Sequence, residues 1–556
     1  MRAKCNHRAF GVMQSMMRFV TTACAVLLLC ALAGGASAFA ATTRPVAFVP
    51  LDDRPVTLQL PIMLGAIAGR PVRTPPRAAL GHYLSPGDPE AILSWLRSDD
   101  TKDCSSIVAS LDMVAYGGLV ASRVPGLPDY VAYYRLRDFA AASAERPGAF
   151  VAAFGTVMRL APTGVPRLPQ TDGYWATGDT VDLIAQYANL PSPPKTEEQR
   201  RFAERLRERI GPATLDAYLG ARARNVKVDE FALQLLAEGR LDRVVLGQDD
   251  AGPSGLHLSD LAALNATLRR YSLAGRASIE PGADELGMVL VSSVFARDLH
   301  WTPTVRVRYS RAGAAQVVDH LEYVPIDVTI GKLIAASGAR RIDADNADID
   351  LFVRVNGDSP ADEATFLDGI AADVAAQRSV AVADLTFLGG PTPSDDQQWL
   401  TRMLIDHGLA GKIDAFASWN TNANTVGTAL AAAVAVGAGR RSGTYDDRAH
   451  AQFMLDRYAD DYAFHQFVRP VLNEALRSRE VDPTLLAEQT LSATSSQNRE
   501  LLWPYTLDLL SRIYPQYRDA GLTITLPWQR TFEAQLDVHL NKAPEAPTPS
   551  STPAVP

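Results

Sequence analysis

Acidic, amide and aromatic residues recur in this chain just after short apolar runs, where side chains that bind ligands or move protons are placed. The strongest case is VVLGQDDAGPSGLH, in which Asp249 and Asp250 follow an apolar run and Gly252, Pro253 and Gly255 then turn the chain. Hydrolysis of an acetal needs one protonated and one ionised carboxyl, and closely spaced carboxyls push their pKa values apart. A capped strand-to-helix turn would account for the same letters. His257, just beyond, joins the candidate binding residues, although a structural hydrogen bond is the commoner use of such a histidine. In SIEPGADELGMVL, Glu280 closes an apolar run and Asp284-Glu285 stand at a helix start. Acidic residues there complement the helix dipole, but their recurrence at strand ends makes Asp284 and Glu285 further catalytic candidates.

Three more clusters suit substrate binding. LDDRPVT packs Asp52, Asp53 and Arg54 where the first apolar run ends, with Pro55 fixing the exit direction. The plain alternative there is an Asp/Arg pair tying the strand end to its neighbour. SLDMVAYGGLVASR ends a run at Asp112, passes through Gly117-Gly118 and reaches Arg123. FASWNTNANTVGTALAAAV sets Trp419, Asn420, Thr421, Asn422 and Asn424 before an Ala-rich helix. Helix capping uses one or two of these polar residues. The remainder fit a polyhydroxylated ligand, with Trp419 as a stacking wall and Asn420 and Asn424 bonding hydroxyls. Tyr174 and Trp175 would complete that platform, and Asp384 in VAVADLTFLGG repeats the strand-end acid.

Several other chemistries are not written in the chain. It has neither a G-x-S-x-G elbow nor a Walker loop, and the G-x-G of VAVGAGRRSG follows a helical pattern. No Cys/His cluster has zinc spacing, so no cofactor is expected; a divalent ion held by aspartates would leave no tight spacing signature.

The elements that must position these residues read as α/β. Continuous apolar runs at 46–51, 106–111, 149–154, 243–246, 277–280, 350–355, 380–384 and 413–417 alternate with helical stretches, as parallel strands buried on both faces do. They predict a (β/α)8-barrel-like arrangement or a doubly wound parallel sheet, with a slight lean to the barrel. In either, ligands bind at the carboxyl ends of the strands. The expected organisation is a domain over 45–440 with insertions at 160–242, placed to act as a lid, and at 300–345, a small β-containing subdomain. A mainly helical region at 441–540 and a disordered Pro/Ser/Thr-rich tail at 541–556 follow.

The 556 residues are 47% hydrophobic and 21% charged, which excludes a disordered or fibrous chain. Arg2, Lys4, Arg8 and Arg18 precede the apolar run 19–33 and the small residues Ala36-Ser37-Ala38, the pattern of a secretory signal peptide over 1–38, cleaved near Ala38 or Ala40. The run of about 15 residues is shorter than the roughly 20 a spanning helix needs. The formal net charge is −8, and removing those four basic residues takes it to −12, which disfavours nucleic acid and anionic lipid as partners. Cys104 alone remains after the signal, so no internal disulfide is available. The expectation is a periplasmic or secreted protein with a small-molecule or oligosaccharide substrate and no membrane attachment after cleavage.

Taken together, LDDRPVT, SLDMVAYGGLVASR, GQDDAGPSG, PGADELGM, ASWNTNANTVGTALA and LPWQRTFE resemble the bacterial domain-of-unknown-function family numbered 4127, over roughly residues 45–540. The resemblance implies that family's fold and its functional cleft, and no particular reaction. The Asp-Asp pair and the Trp-Asn loop also resemble, in fold and residue type only, barrel glycosidases that use two acidic groups, including hexosaminidase-like enzymes. The leading expectation is therefore an exported hydrolase of a carbohydrate or cell-envelope glycan. In it, Asp249 and Asp250 do acid/base work and Asp52, Asp53, Arg54, Asp112, Arg123, His257 and Asn420 bind substrate. A Mg²⁺- or Ca²⁺-dependent hydrolase and a periplasmic carbohydrate-binding protein without turnover are the alternatives.

Overall fold

The computed structural model describes residues 44–165, 175–176, 179–386 and 394–543. Residues 1–43, Tyr174, the side chain of Trp175 and residues 544–556 lie outside the described residues.

The apolar runs form two open parallel sheets. The first holds β1 (Val46–Val49), β2 (Val72–Arg73), β3 (Ser106–Ser110), β4 (Phe150–Val157), β5 (Arg243–Gln248) and β6 (Ala277–Pro281), in the order β2-β1-β3-β4-β5-β6. The second holds β7 (Thr304–Tyr309), β8 (Arg340–Arg341), β9 (Ile349–Arg354), β10 (Val380–Asp384) and β11 (Ala415–Ala417), in the order β8-β7-β9-β10-β11. Each sheet is wound the same way: its first strand lies between its second and third. That reversal opens a crevice at the carboxyl ends of the strands. β1, β3, β9 and β10 are buried along their whole length, because helices cover both faces.

The eight runs do not close into a barrel. Five stand in the first sheet and three in the second. The division follows β6, where helix Leu286–Asp298 folds back against β3 and β4 and the chain starts a second winding. The stretch 300–345 accordingly supplies β7 and β8 of the second sheet. β7 alternates in sequence because Arg306 and Arg308 reach carboxylates: Arg306 pairs with Asp350 at 2.5 Å and Arg308 with Asp373 at 2.9 Å.

The sheets are joined through helix Leu286–Asp298 and helix Asn422–Ser442, which pack on each other. Ala and Gly make the second helix narrow enough to be buried from Asn422 to Val436. A Cβ on Gly427 would lie 2.3 Å from Glu285 Cγ. One hydrophobic core consequently runs from Phe48 through Leu290 and Leu430 to Phe416. After helical 447–513, two short antiparallel pairs, Tyr517–Asp519 with Leu540–Lys542 and Thr523–Thr525 with Gln535–Asp537, carry the segment 526–534 back to the first sheet. Among the described residues no helix is long and apolar enough to cross a membrane.

Candidate functional site

The exits of β1 and β6 are locked together by one guanidinium. Arg54 donates to Asp52 through Nε at 3.0 Å and Nη2 at 2.7 Å, and to Asp284 through Nη1 at 2.9 Å and Nη2 at 2.6 Å. Asp52 also accepts from Thr57 Oγ1 at 2.6 Å. Burial pushes the Asp52 carboxyl up, although Arg54 beside it pulls the other way. Asp52 therefore holds Arg54 from behind and does not face the cavity described below, whereas Arg54 and Asp284 do.

Asp53 turns the other way. Its Oδ1 accepts the indole N–H of Trp528 at 2.6 Å, and its Oδ2 accepts from Arg77 at 3.0 Å and contacts His82 Nδ1 at 3.0 Å. Burial works to raise this carboxyl, and the bonds from His82 and Trp528 more than offset it, leaving it below the ordinary range. The adjacent aspartates of LDDRP thus serve two structures: one fixes Arg54 and the other fixes the indole on which Arg54 lies, 5.0 Å from the ring centroid.

At the exit of β5, Asp249 and Asp250 differ in the same manner. Gly247 is required here, since a Cβ would come within 2.1 Å of the Gly282 carbonyl as β5 and β6 leave the sheet. Asp249 pairs with Arg123, which also donates to Thr163 Oγ1 at 2.8 Å, and its Oδ1 accepts the Asp250 N–H at 3.0 Å. Asp250 is held more loosely, with Arg159 Nη1 at 3.4 Å. Its side chain is 31% exposed, against 11% for both Asp249 and Asp284. Burial of the site and the charge of Asp249 push the Asp250 carboxyl up to about 6.

The second sheet contributes the loop after β11. Asn420 takes φ 49°, a left-handed conformation that asparagine tolerates. Its Nδ2 donates to Asn424 Oδ1 at 2.9 Å, and Asn424 Nδ2 donates to Glu285 Oε2 at 2.8 Å. Glu285 is fully buried, and burial with Asp284 and Glu322 nearby holds its carboxyl well above the usual range. It is a support for the asparagine loop. Glu322 plays a similar part from the segment before helix Ile326–Ala336, accepting the Ala423 N–H at 2.6 Å and the Thr329 hydroxyl at 2.7 Å. Burial pushes its carboxyl up to about 7.

Together these groups enclose a cavity of about 390 Å³. Arg54, Arg123, Asp249, Asp250, Asp284, Asn420, Thr421 and Asn424 line it, so eight of the residues singled out from the sequence converge. The others do not. Asp112 lies beneath, accepting the Thr156 N–H at 2.8 Å, with burial pushing its carboxyl up to about 6. His257 is fully buried, edge-on to Tyr323, and burial together with Arg222 pushes its imidazole down to about 4. Trp419 is turned into the core, where its N–H donates to Thr428 Oγ1 at 3.2 Å. The indole at the cavity belongs to Trp528, and Tyr83, Arg54 and Arg530 all lie within 5.2 Å of its centroid.

Arg159, Thr163, Glu322, Trp528 and Arg530 also line the cavity and were not singled out by spacing. Arg159 follows β4 as the acids follow the other strands, so a search for charge of either sign at strand exits would have found it. Trp528 and Arg530 lie in LPWQRTFE, far from any parallel strand. No three of His, Cys, Asp and Glu converge as metal ligands among the described residues; the carboxylates alternate with guanidiniums instead.

Residues 46–537 match the family described as Protein of unknown function (DUF4127). The chain belongs to this family. The match takes in both sheets and the returning segment that carries Trp528 and Arg530, so every wall of the cavity is family territory. No curated protein and no solved structure gives a significant match.

Proposed function

We propose that this member of the family is an exported hydrolase of a carbohydrate or cell-envelope glycan, with Asp250 as its proton donor. The observation that carries the reading is the contrast among carboxylates in one cavity. Asp249 and Asp284 are tied to Arg123 and Arg54, while Asp250 is loosely held, the most open of the three, and raised to about 6. A carboxyl tuned in that way protonates a leaving oxygen near neutral pH. Asp249 and Asp284 supply the negative field that steadies positive charge at the reacting carbon, as the second carboxylate of a glycosidase does. Asn420, Asn424 and Thr163 present amide and hydroxyl groups suited to sugar hydroxyls. The export half rests on the basic, apolar and small-residue segments before residue 39.

The test is a screen of glycans and aryl glycosides with the wild type and Asp250→Asn. Turnover is expected for the wild type and a drop of about 10²- to 10⁴-fold in the variant, the range that general acid catalysis contributes. An Asp250→Asn protein as active as the wild type would remove Asp250 from the chemistry. Binding without turnover in both would leave a glycan-binding protein.

A further inference from the structure

The cavity does not end at Asp250. A second hollow of about 640 Å³ opens beside it, and Arg159, Thr163, Arg530 and Phe532 line both. Its far side is helix Arg469–Arg477 and the turn at 480–484. Two arginines of that helix, Arg469 and Arg477, border it.

These guanidiniums differ from those of the inner cavity. Arg54 and Arg123 are bound to carboxylates, and Arg530 is forked onto Glu533. Arg469 lies over the Phe532 ring at 4.7 Å and meets His465 Nδ1 at 3.4 Å, and its Nε is buried with no hydrogen-bond partner. Among the described residues neither Arg469 nor Arg477 forms an ion pair within 4.0 Å. Burial pushes Arg469 down to about 10, with Glu533 and Asp460 pulling the other way and Arg530 and Arg477 adding to the effect, and it still carries its charge at neutral pH. Two acids stand at the hollow's edge: Asp482 is engaged in the turn, accepting both the N–H and the hydroxyl of Thr484, and Glu480 is exposed and forms no ion pair within 4.0 Å among the described residues. A largely buried guanidinium with an unpartnered Nε and no carboxylate within ion-pair distance is costly, and an anion that accepts from its fork repays that cost.

We propose that the second hollow is a subsite for an acidic group and that the ligand is an acidic oligosaccharide. It threads between Arg159 and Arg530, its acid on Arg469 and Arg477 and a glycosidic bond at Asp250. The Asp250 end rests on the hydrolase reading above; the subsite does not. Carboxylate and phosphate both match a guanidinium fork, so the acid is either a uronate or a sugar phosphate.

The experiment is calorimetric titration of the full chain, wild type, Arg469→Gln and Arg477→Gln. The ligands are a uronic-acid tetramer, the same tetramer with its carboxylates reduced and a phosphorylated tetrasaccharide. Melting curves confirm that each variant is folded. The wild type is expected to bind an acidic tetramer in preference to the reduced one, with the preferred acidic ligand naming the acid. Each substitution is expected to weaken that binding by about 10- to 100-fold, the loss of one charge-assisted bond, and to leave binding of the reduced tetramer unaffected. Equal affinity for acidic and reduced tetramers, or acidic binding unchanged in both variants, would overturn the subsite. Turnover that survives alongside unchanged binding sinks the subsite and leaves the hydrolase. Arginine-dependent binding with no turnover sinks the hydrolase and leaves the subsite.

Discussion

Arg54 is the residue on which the inner cavity is hung, with Asp52 behind it, Asp284 before it and Trp528 beneath. Replacing it with methionine leaves two inward carboxyls without their cation. Breaking a buried pair from one side costs about 3–5 kcal/mol, and urea unfolding should give that loss near pH 8. The deficit is expected to shrink near pH 5, because orphaned buried carboxyls take up protons and cease to be buried charges. A deficit independent of pH would place the cost in packing. For Asp250 the sign is opposite in its consequence for rate. The working form of a general acid is protonated, so kcat/KM should fall as pH rises through about 6, and Asp250→Asn should lose that limb with its activity. The sequence showed that aspartates gather at strand exits and not where each of them points. The partner that decides this is remote: Asp53 is turned by Trp528 and Asp52 by Thr57 and Arg54. Trp419 misled for the same reason, since its indole N–H is taken by Thr428 on the helix that follows.

Among the elements, the contact between helix Leu286–Asp298 and helix Asn422–Ser442 carries the site, because Glu285 begins one and Asn424 begins the other. Gly427→Ala tests it. In a free helix the change would gain up to about 1 kcal/mol. Here the new methyl meets Glu285 Cγ at 2.3 Å and Cβ at 2.8 Å, and overpacking of that kind costs about 1–3 kcal/mol. A net loss in urea unfolding is expected, and a gain would mean that the helices separate without penalty. All eight apolar runs became strands, since Val, Ala, Ile and Phe in unbroken runs suit a sheet covered on both faces. Their division into two sheets was not legible, because a run buried on two faces carries no mark of which sheet buries it. β2 and β8, two residues each, are too short to make a pattern.

At the scale of the whole molecule, the two windings bring their carboxyl ends to a shared cavity that neither could enclose alone. The first sheet gives Arg54, Asp249, Asp250 and Asp284, the second gives Asn420 and Asn424, and the returning segment closes the side with Trp528 and Arg530. A ligand held there touches all three parts, so it should stabilise the whole chain by about 2.7 kcal/mol at a hundredfold excess over Kd and raise its melting temperature in one transition. Two transitions, with one unmoved by ligand, would separate the parts. A crystal structure of Asp250→Asn with the acidic tetramer bound tests most directly whether Asp250 stands at the bond to be broken. A glycosidic oxygen is expected within hydrogen-bond distance of the residue 250 side chain, with the chain of the ligand passing between Arg159 and Arg530 and an acid on Arg469. A tetramer seated elsewhere, or in the cavity with only ring hydroxyls near residue 250, would contradict it.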